Sequence, residues 1–255
     1  MDLSLAQDHA VALLLHIVRA GAFFGVVPLF GRQLDSFALR LVLAISLGGV
    51  FWSVGDQTVA APPGVLALGA MAVREGVVGV ALGFALSTMT SLLVGAGEIV
   101  SSEMGFSLAR TINPESGGDA TVVSQLLQVL GFLLILHFDL HHEALRVLEL
   151  TYRNCPVGQP FDVAPIWQGL QTLVAGSLQL SLHYAFPVLG IMLLLSVGMV
   201  LLGRAVPSIN LMEFGFAARV LVALGVLTLF VGEGTPFLVQ AFRGILDVAA
   251  AMFPG

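Results

Sequence analysis

The chain has 255 residues, 57% of them hydrophobic and 10% charged, with a mean hydropathy of +0.98. A water-exposed globular domain carries about a quarter charged residues, so this is an integral membrane protein or a subunit buried within a larger assembly. Ten arginines, no lysine and sixteen acids give a net charge of −6, which argues against a nucleic-acid ligand.

The opening MDLSLAQDHA is acidic and lacks a basic leader, so the expectation is no cleavable signal peptide. A first apolar run covers about 10–30 and contains Arg19. A polar connection, Gly31–Ser36, leads to a second run at 37–54. The breaker-rich stretch Gly55–Gly64, with Pro62-Pro63, precedes a third run at 65–97. From Gly76 to Gly97 there is no charge for 22 residues, enough to cross a hydrocarbon core of ~30 Å at ~1.5 Å per residue.

This third run carries Gly79, Gly83, Ser87, Ser91 and Gly95 at four-residue spacing. On a helix they form one narrow groove that a second backbone can approach, from another subunit or from this chain. Arg74 and Glu75 stand at its edge, about 100° apart on a helix, and are expected to face different partners rather than each other. The plainer alternative is a helix end with side chains snorkelling to the interface.

Gly97–Asp119 reads as a charged, glycine-rich loop between two apolar spans. Irregular backbone beside a bilayer is tolerated only where protein or a water-filled cavity satisfies it. Its early part is apolar (Met104, Phe106, Leu108, Ile112); Asn113, Pro114, Gly117 and Gly118 supply turn chemistry. Its length exceeds an ordinary connection and suits closing a pore.

Ala120 to Phe138 gives another 19 uncharged residues. His137, Asp139, His141, His142 and Glu143 follow, and His137 and His141, four apart, are placed to share a helical face as zinc ligands do. The order is not HExxH, and a polar cap where the span meets water is the simpler reading. The connection 139–162 holds the single Cys155, which excludes an internal disulfide or a cysteine-rich metal site.

From Val163 to Gly203 there are 41 residues without a charge, too long for one span; Pro187 and Gly190 near the middle suggest a kink or a hairpin bend. After Arg204–Gly215 a last run covers 217–239. The count is six to eight helices. Arg32, Arg110 and Arg204 against Arg146, Arg153 and Arg243 give no positive-inside signal. No hydrophilic stretch is large enough for a catalytic domain, and no nucleotide or nucleophile motif is present, so neither enzyme activity nor a cofactor is expected.

Four segments resemble the FliR/SctT family, the single-copy membrane component of the type III protein-export gate. They are VRAGAFFGVVPLFG (Val18–Gly31), AGEIVSSEMGFSLARTINPESGGDATVVSQLL (Ala96–Leu127), PVGQP (Pro156–Pro160) and GRAVPSINLMEFGFAARV (Gly203–Val220). Departures from the family pattern include Asn113 for Asp before Pro114, Ser208 for Gln, and Ala217-Ala218-Arg219 for Pro-Leu-Lys. The resemblance implies an all-α membrane protein of bent helical hairpins packed in a hetero-oligomeric helical assembly. Residues 1–160 would form a FliP-like part and 161–255 a FliQ-like part.

The implied partners are FliP-like and FliQ-like subunits, FlhB-like and FlhA-like subunits, unfolded exported proteins and membrane lipid. The implied location is the bacterial inner membrane, at the base of a flagellar basal body or injectisome, with part raised toward the periplasm. The plug would be Met104 to Gly118, with Met104, Phe106, Leu108, Ile112, Pro114, Gly117 and Gly118. Gly79, Gly83, Glu98, Arg110, Pro207, Asn210, Gly215 and Phe216 would make subunit or loop-positioning contacts. Two rivals remain at this stage: a proton-coupled small-molecule transporter using Glu98 or Arg74, and a metalloenzyme on His137, His141 and Glu143.

Overall fold

A computed structural model of the chain describes residues 3–27, 36–55, 58–105, 121–206 and 211–254. Among these the fold is all-α: α1 (Leu3–Val26), α2 (Phe37–Gly55), α3 (Val65–Met104), α4 (Val122–His137), α5 (Leu140–Asn154), α6 (Ala164–Ala205) and α7 (Leu211–Ala251). Five of these are long and apolar enough to cross a membrane, and the bent pair α4–α5 makes a sixth candidate if it is one broken span. The expectation of six to eight apolar helices is met.

Three expectations about local structure change. The stretch read as a loop from Gly97 is helical through Met104, because Glu98–Met104 holds no proline or glycine to stop α3. The long run after Val163 is not a hairpin but one helix of 42 residues that passes through Pro187. A reversal there would strand several backbone polar groups among apolar side chains, whereas one proline removes a single hydrogen bond. Third, His137 and His141 do not share a helical face: α4 ends at His137, and Asp139 adopts a left-handed conformation, φ 56°, before α5 begins. Aspartate tolerates that region better than most residues.

At ~1.5 Å per residue α3 and α6 are each ~60 Å long, about twice a hydrocarbon core. Neither fits inside a bilayer along its whole length.

The chain forms two compact units. The first comprises Met1–Met89, Asp139–Val174 and Phe242–Gly255. Here α1 buries Ala12, Leu15, His16, Arg19, Ala20 and Phe23, the i, i+3, i+4 pattern of one helical face. Against it lie Gly79 and Gly83 of α3. A Cβ at Gly83 would sit 2.8 Å from the Phe23 carbonyl oxygen and 3.0 Å from Val26 Cβ, and one at Gly79 would collide with the Arg19 carbonyl. These two ladder positions thus serve close packing within the chain. Gly48 of α2 meets the Ile17 backbone of α1 in the same way. The amphipathic α5 buries Leu140, Val147, Leu148, Thr151 and Tyr152, with the Glu149–Arg153 pair on its exposed side.

The second unit comprises Thr90–Phe138 and Ala175–Ala241. Its buried side chains include Leu92, Leu93, Val100, Met104, Leu127, Tyr184, Val188 and Leu238. Gly95 lies against Ser181 of α6, whose hydroxyl donates to the Leu92 carbonyl at 2.8 Å.

Candidate functional site

The first unit holds a buried polar knot that no single segment announces. Arg19 of α1 and Glu75 of α3, 56 residues apart, are 1% and 2% exposed. Arg19 Nε donates to Glu75 Oε2 at 2.7 Å, and Nη2 approaches the same oxygen at 2.6 Å. Nη1 donates to the Thr151 carbonyl at 2.8 Å and Nη2 to the Cys155 carbonyl at 2.9 Å. The guanidinium lies 4.6 Å from the centre of the Tyr152 ring, which stacks on His16 and donates from its hydroxyl to the His16 carbonyl.

Glu75 Oε1 accepts from the Gly158 amide at 2.9 Å; Gly158 itself needs its glycine, with φ 81°. The two charges therefore tie α1 and α3 to the end of α5 and the PVG turn. Arg74 points elsewhere and is exposed, so the adjacent pair do face different surroundings. Burial also pushes the Cys155 thiol up from its ordinary value, with Arg19 opposing the shift. Beside it is a cavity of about 190 Å³ between the loop after α5 and Met252–Pro254.

The second unit carries the two feet of the candidate plug. On the outgoing side Met104 is the last residue of α3 and 1% exposed. Gly105 follows with φ 89°, and a Cβ there would meet the Phe216 ring at 3.7 Å. On the return side Thr121 caps α4, its side-chain oxygen accepting from the Ser124 amide. Glu98 Oε1 accepts from the Thr121 amide at 2.9 Å and from the Ser124 hydroxyl at 2.8 Å, while the Ser101 and Thr121 hydroxyls are 2.6 Å apart. Gly97 allows this approach: a Cβ there would overlap the Ser124 backbone. A carboxylate and three hydroxyls thus hold the end of α3 to the start of α4.

Of the predicted plug residues, Phe106, Leu108, Ile112, Pro114, Gly117 and Gly118 lie outside the described residues, as do Arg110, Pro207 and Asn210. Gly215 is buried near Met199, and Phe216 is half exposed beside Gly105. His137 stands against Phe138, whereas His141 and His142 are paired beyond the helix break, close to Asp139.

Two features escaped the sequence reading. The pairing of Arg19 with Glu75 has no local signal, although both were visible as charges in apolar runs. Glu233, inside the run 217–239, was passed over; a search for acids within apolar runs would have found it.

The family described as bacterial export proteins, family 1, matches residues 10–245. The flagellar biosynthetic protein FliR of Caulobacter vibrioides is 27% identical over 243 residues, covering 95% of this chain and 96% of the relative. That of Bacillus subtilis is 26% identical over 219 residues, covering 83% of each. The surface presentation of antigens protein SpaR of Shigella sonnei is 26% identical over 175 residues, 67% of this chain and 66% of the relative.

Proposed function

This chain belongs to the bacterial export proteins, family 1, and from that membership we propose that it is a non-enzymatic subunit of a type III protein-export gate in the bacterial inner membrane. It helps form and plug the channel through which unfolded proteins cross the inner membrane. The flagellar system is favoured, because the Caulobacter vibrioides relative with a flagellar name aligns over 95% of this chain and the SpaR relative over 67%. Its partners are FliP-like and FliQ-like subunits, with FlhB-like and FlhA-like components nearby. Residues 1–160 act as the FliP-like part and 161–255 as the FliQ-like part. Helices about twice the length of a hydrocarbon core support a complex standing partly above the membrane plane.

The observation that carries the plug is the clamp at its feet. Glu98, Ser101, Thr121 and Ser124 hold the two ends of a long segment together, and Gly105 lets it leave α3 sharply. The apolar half, Met104 to Ile112, seals by excluding water and ions; the half from Asn113 to Gly118 supplies the bend. Because Met104 is packed at the end of α3, it anchors the seal while Phe106, Leu108 and Ile112 provide it.

Deleting Phe106 to Gly118 tests this. The complex should still assemble, and its membranes should become leaky to ions or small solutes. Unchanged conductance in an assembled deletion complex overturns the plug.

A further inference from the structure

A window of about 20 residues is needed to cross a bilayer, and every such window along α7 contains Arg219 or Glu233. The two charges are handled differently. Arg219 is half-buried and reaches the Ser196 hydroxyl of α6 at 3.4 Å. Glu233 is exposed and, among the described residues, has neither a hydrogen-bond nor an ion-pair partner. It stands on a continuous exposed stripe of α7 with Leu221, Gly225, Leu229, Gly232 and Pro236, at the spacing of one helical face. Leu221 is 71% exposed and Leu229 80%.

Three occupants compete for this face. Lipid is disfavoured wherever this part of α7 lies in the bilayer, since a carboxylate at mid-bilayer costs roughly 2.5–3.5 kcal/mol on insertion scales. Water is a poor match, because the stripe is mainly leucine and glycine, and the nearby Thr228 hydroxyl is already bonded to the Leu224 carbonyl. A protein helix fits both properties. Gly225 and Gly232 leave open space where a Cβ would stand, so a second backbone can come close, and the lone carboxylate asks for one positive charge.

We propose that this stripe is the docking surface for an apolar helix of another export-gate subunit, and that the helix presents an arginine or lysine to Glu233. The proposal rests on the export-gate reading and adds to it the place and the chemistry of one contact.

The test uses the full chain in native membranes, co-purified with its partners. Glu233→Arg should lower the yield of co-purifying subunits about tenfold or more, with Glu233→Gln less damaging. Reversing a lysine or arginine to glutamate in the partner helix should restore the Glu233→Arg complex. In a Cys155→Ser background, the thiol introduced by Glu233→Cys should resist a membrane-impermeant maleimide in the complex and react in detergent when the chain is made alone. Equal reaction in both states means a water-facing stripe and overturns the interface. A higher yield for Glu233→Leu means a lipid-facing stripe and does the same. A wild-type chain that co-purifies with nothing overturns the export-gate reading, and this contact with it; a wild-type complex unaffected by Glu233→Arg overturns this contact alone.

Discussion

Replacing Arg19 by methionine should be among the most damaging single changes in the first unit. The substitution fills the space of the aliphatic stem but removes donors to Glu75, Thr151 and Cys155. Glu75 is left as a carboxylate whose side chain is 3% exposed, with the Gly158 amide as its remaining partner. Removing one member of a buried pair costs roughly 3–5 kcal/mol, because the survivor is desolvated and uncompensated. Removing both is less harmful. In Arg19→Met with Glu75→Leu the stranded charge is gone; what persists is the loss of a partner at the Cys155 carbonyl and the Gly158 amide, at ~1–3 kcal/mol for each that water cannot reach, while the Thr151 carbonyl still accepts from the Cys155 amide. Apolar packing offsets part of that, so the double variant should be more stable than the sum of the single losses, by about 2 kcal/mol. The assay is thermal unfolding of the detergent-solubilised chain, where a 3–5 kcal/mol loss corresponds to a drop on the order of 10 °C. The reasoning fails if Arg19→Met melts with the wild type, or if the double variant loses as much as the two singles added together.

Other expectations follow from close contacts and anchors. Gly83→Ala should destabilise, by ~1–3 kcal/mol, because its methyl would press on the Phe23 carbonyl and Val26; Gly76→Ala, with nothing within 4 Å, should be neutral or stabilising in the same melting assay. Glu98→Ala should speed hydrogen exchange at the Thr121 amide about tenfold, since a hydrogen bond to a charged group contributes ~1.5–3 kcal/mol and solvent replaces part of it; unchanged exchange would remove Glu98 from the clamp. Cys155 should alkylate more slowly at pH 8 in the folded chain than in the denatured one, because burial keeps its thiol protonated above the ordinary value of 9.0. The sign for stability follows: above that pH the unfolded chain has released a proton the folded chain still holds, so this group's contribution falls as pH rises.

What could be read in the sequence was governed by local rules. Hydropathy located the helices because each apolar run is long, and the breakers Pro62-Pro63, Pro156 and Gly158 marked real connections. The end of α3 was misplaced because Glu98 and Glu103 look like loop residues, yet a helix bears charges where its face meets polar partners, as Glu98 does at Thr121 and Ser124. Of the kink and the hairpin bend suggested near Pro187, the hairpin failed because proline weighs heavily in a local reading, while the cost of turning a chain among apolar neighbours is not local at all. For the same reason Arg19 and Glu75 were seen as anomalies but not as a pair: the partners of Arg19 lie 56, 132 and 136 residues away. The glycine ladder showed that something comes close to α3; only the fold shows that α1 is what meets Gly79 and Gly83.

The way the first unit is threaded has a consequence for the order in which the molecule can be finished. Its three segments are separated by both halves of the second unit. A ribosome making this chain releases α1 with a buried arginine long before Thr151 and Cys155 exist to receive it, and Asn154 waits a further 99 residues for the carbonyl of Phe253. Contacts so distant along the chain form slowly. The unit begun first is therefore completed after the other has been synthesised, and a nascent chain stopped short of Phe242 carries the whole sequence of the second unit beside a first unit that is still open.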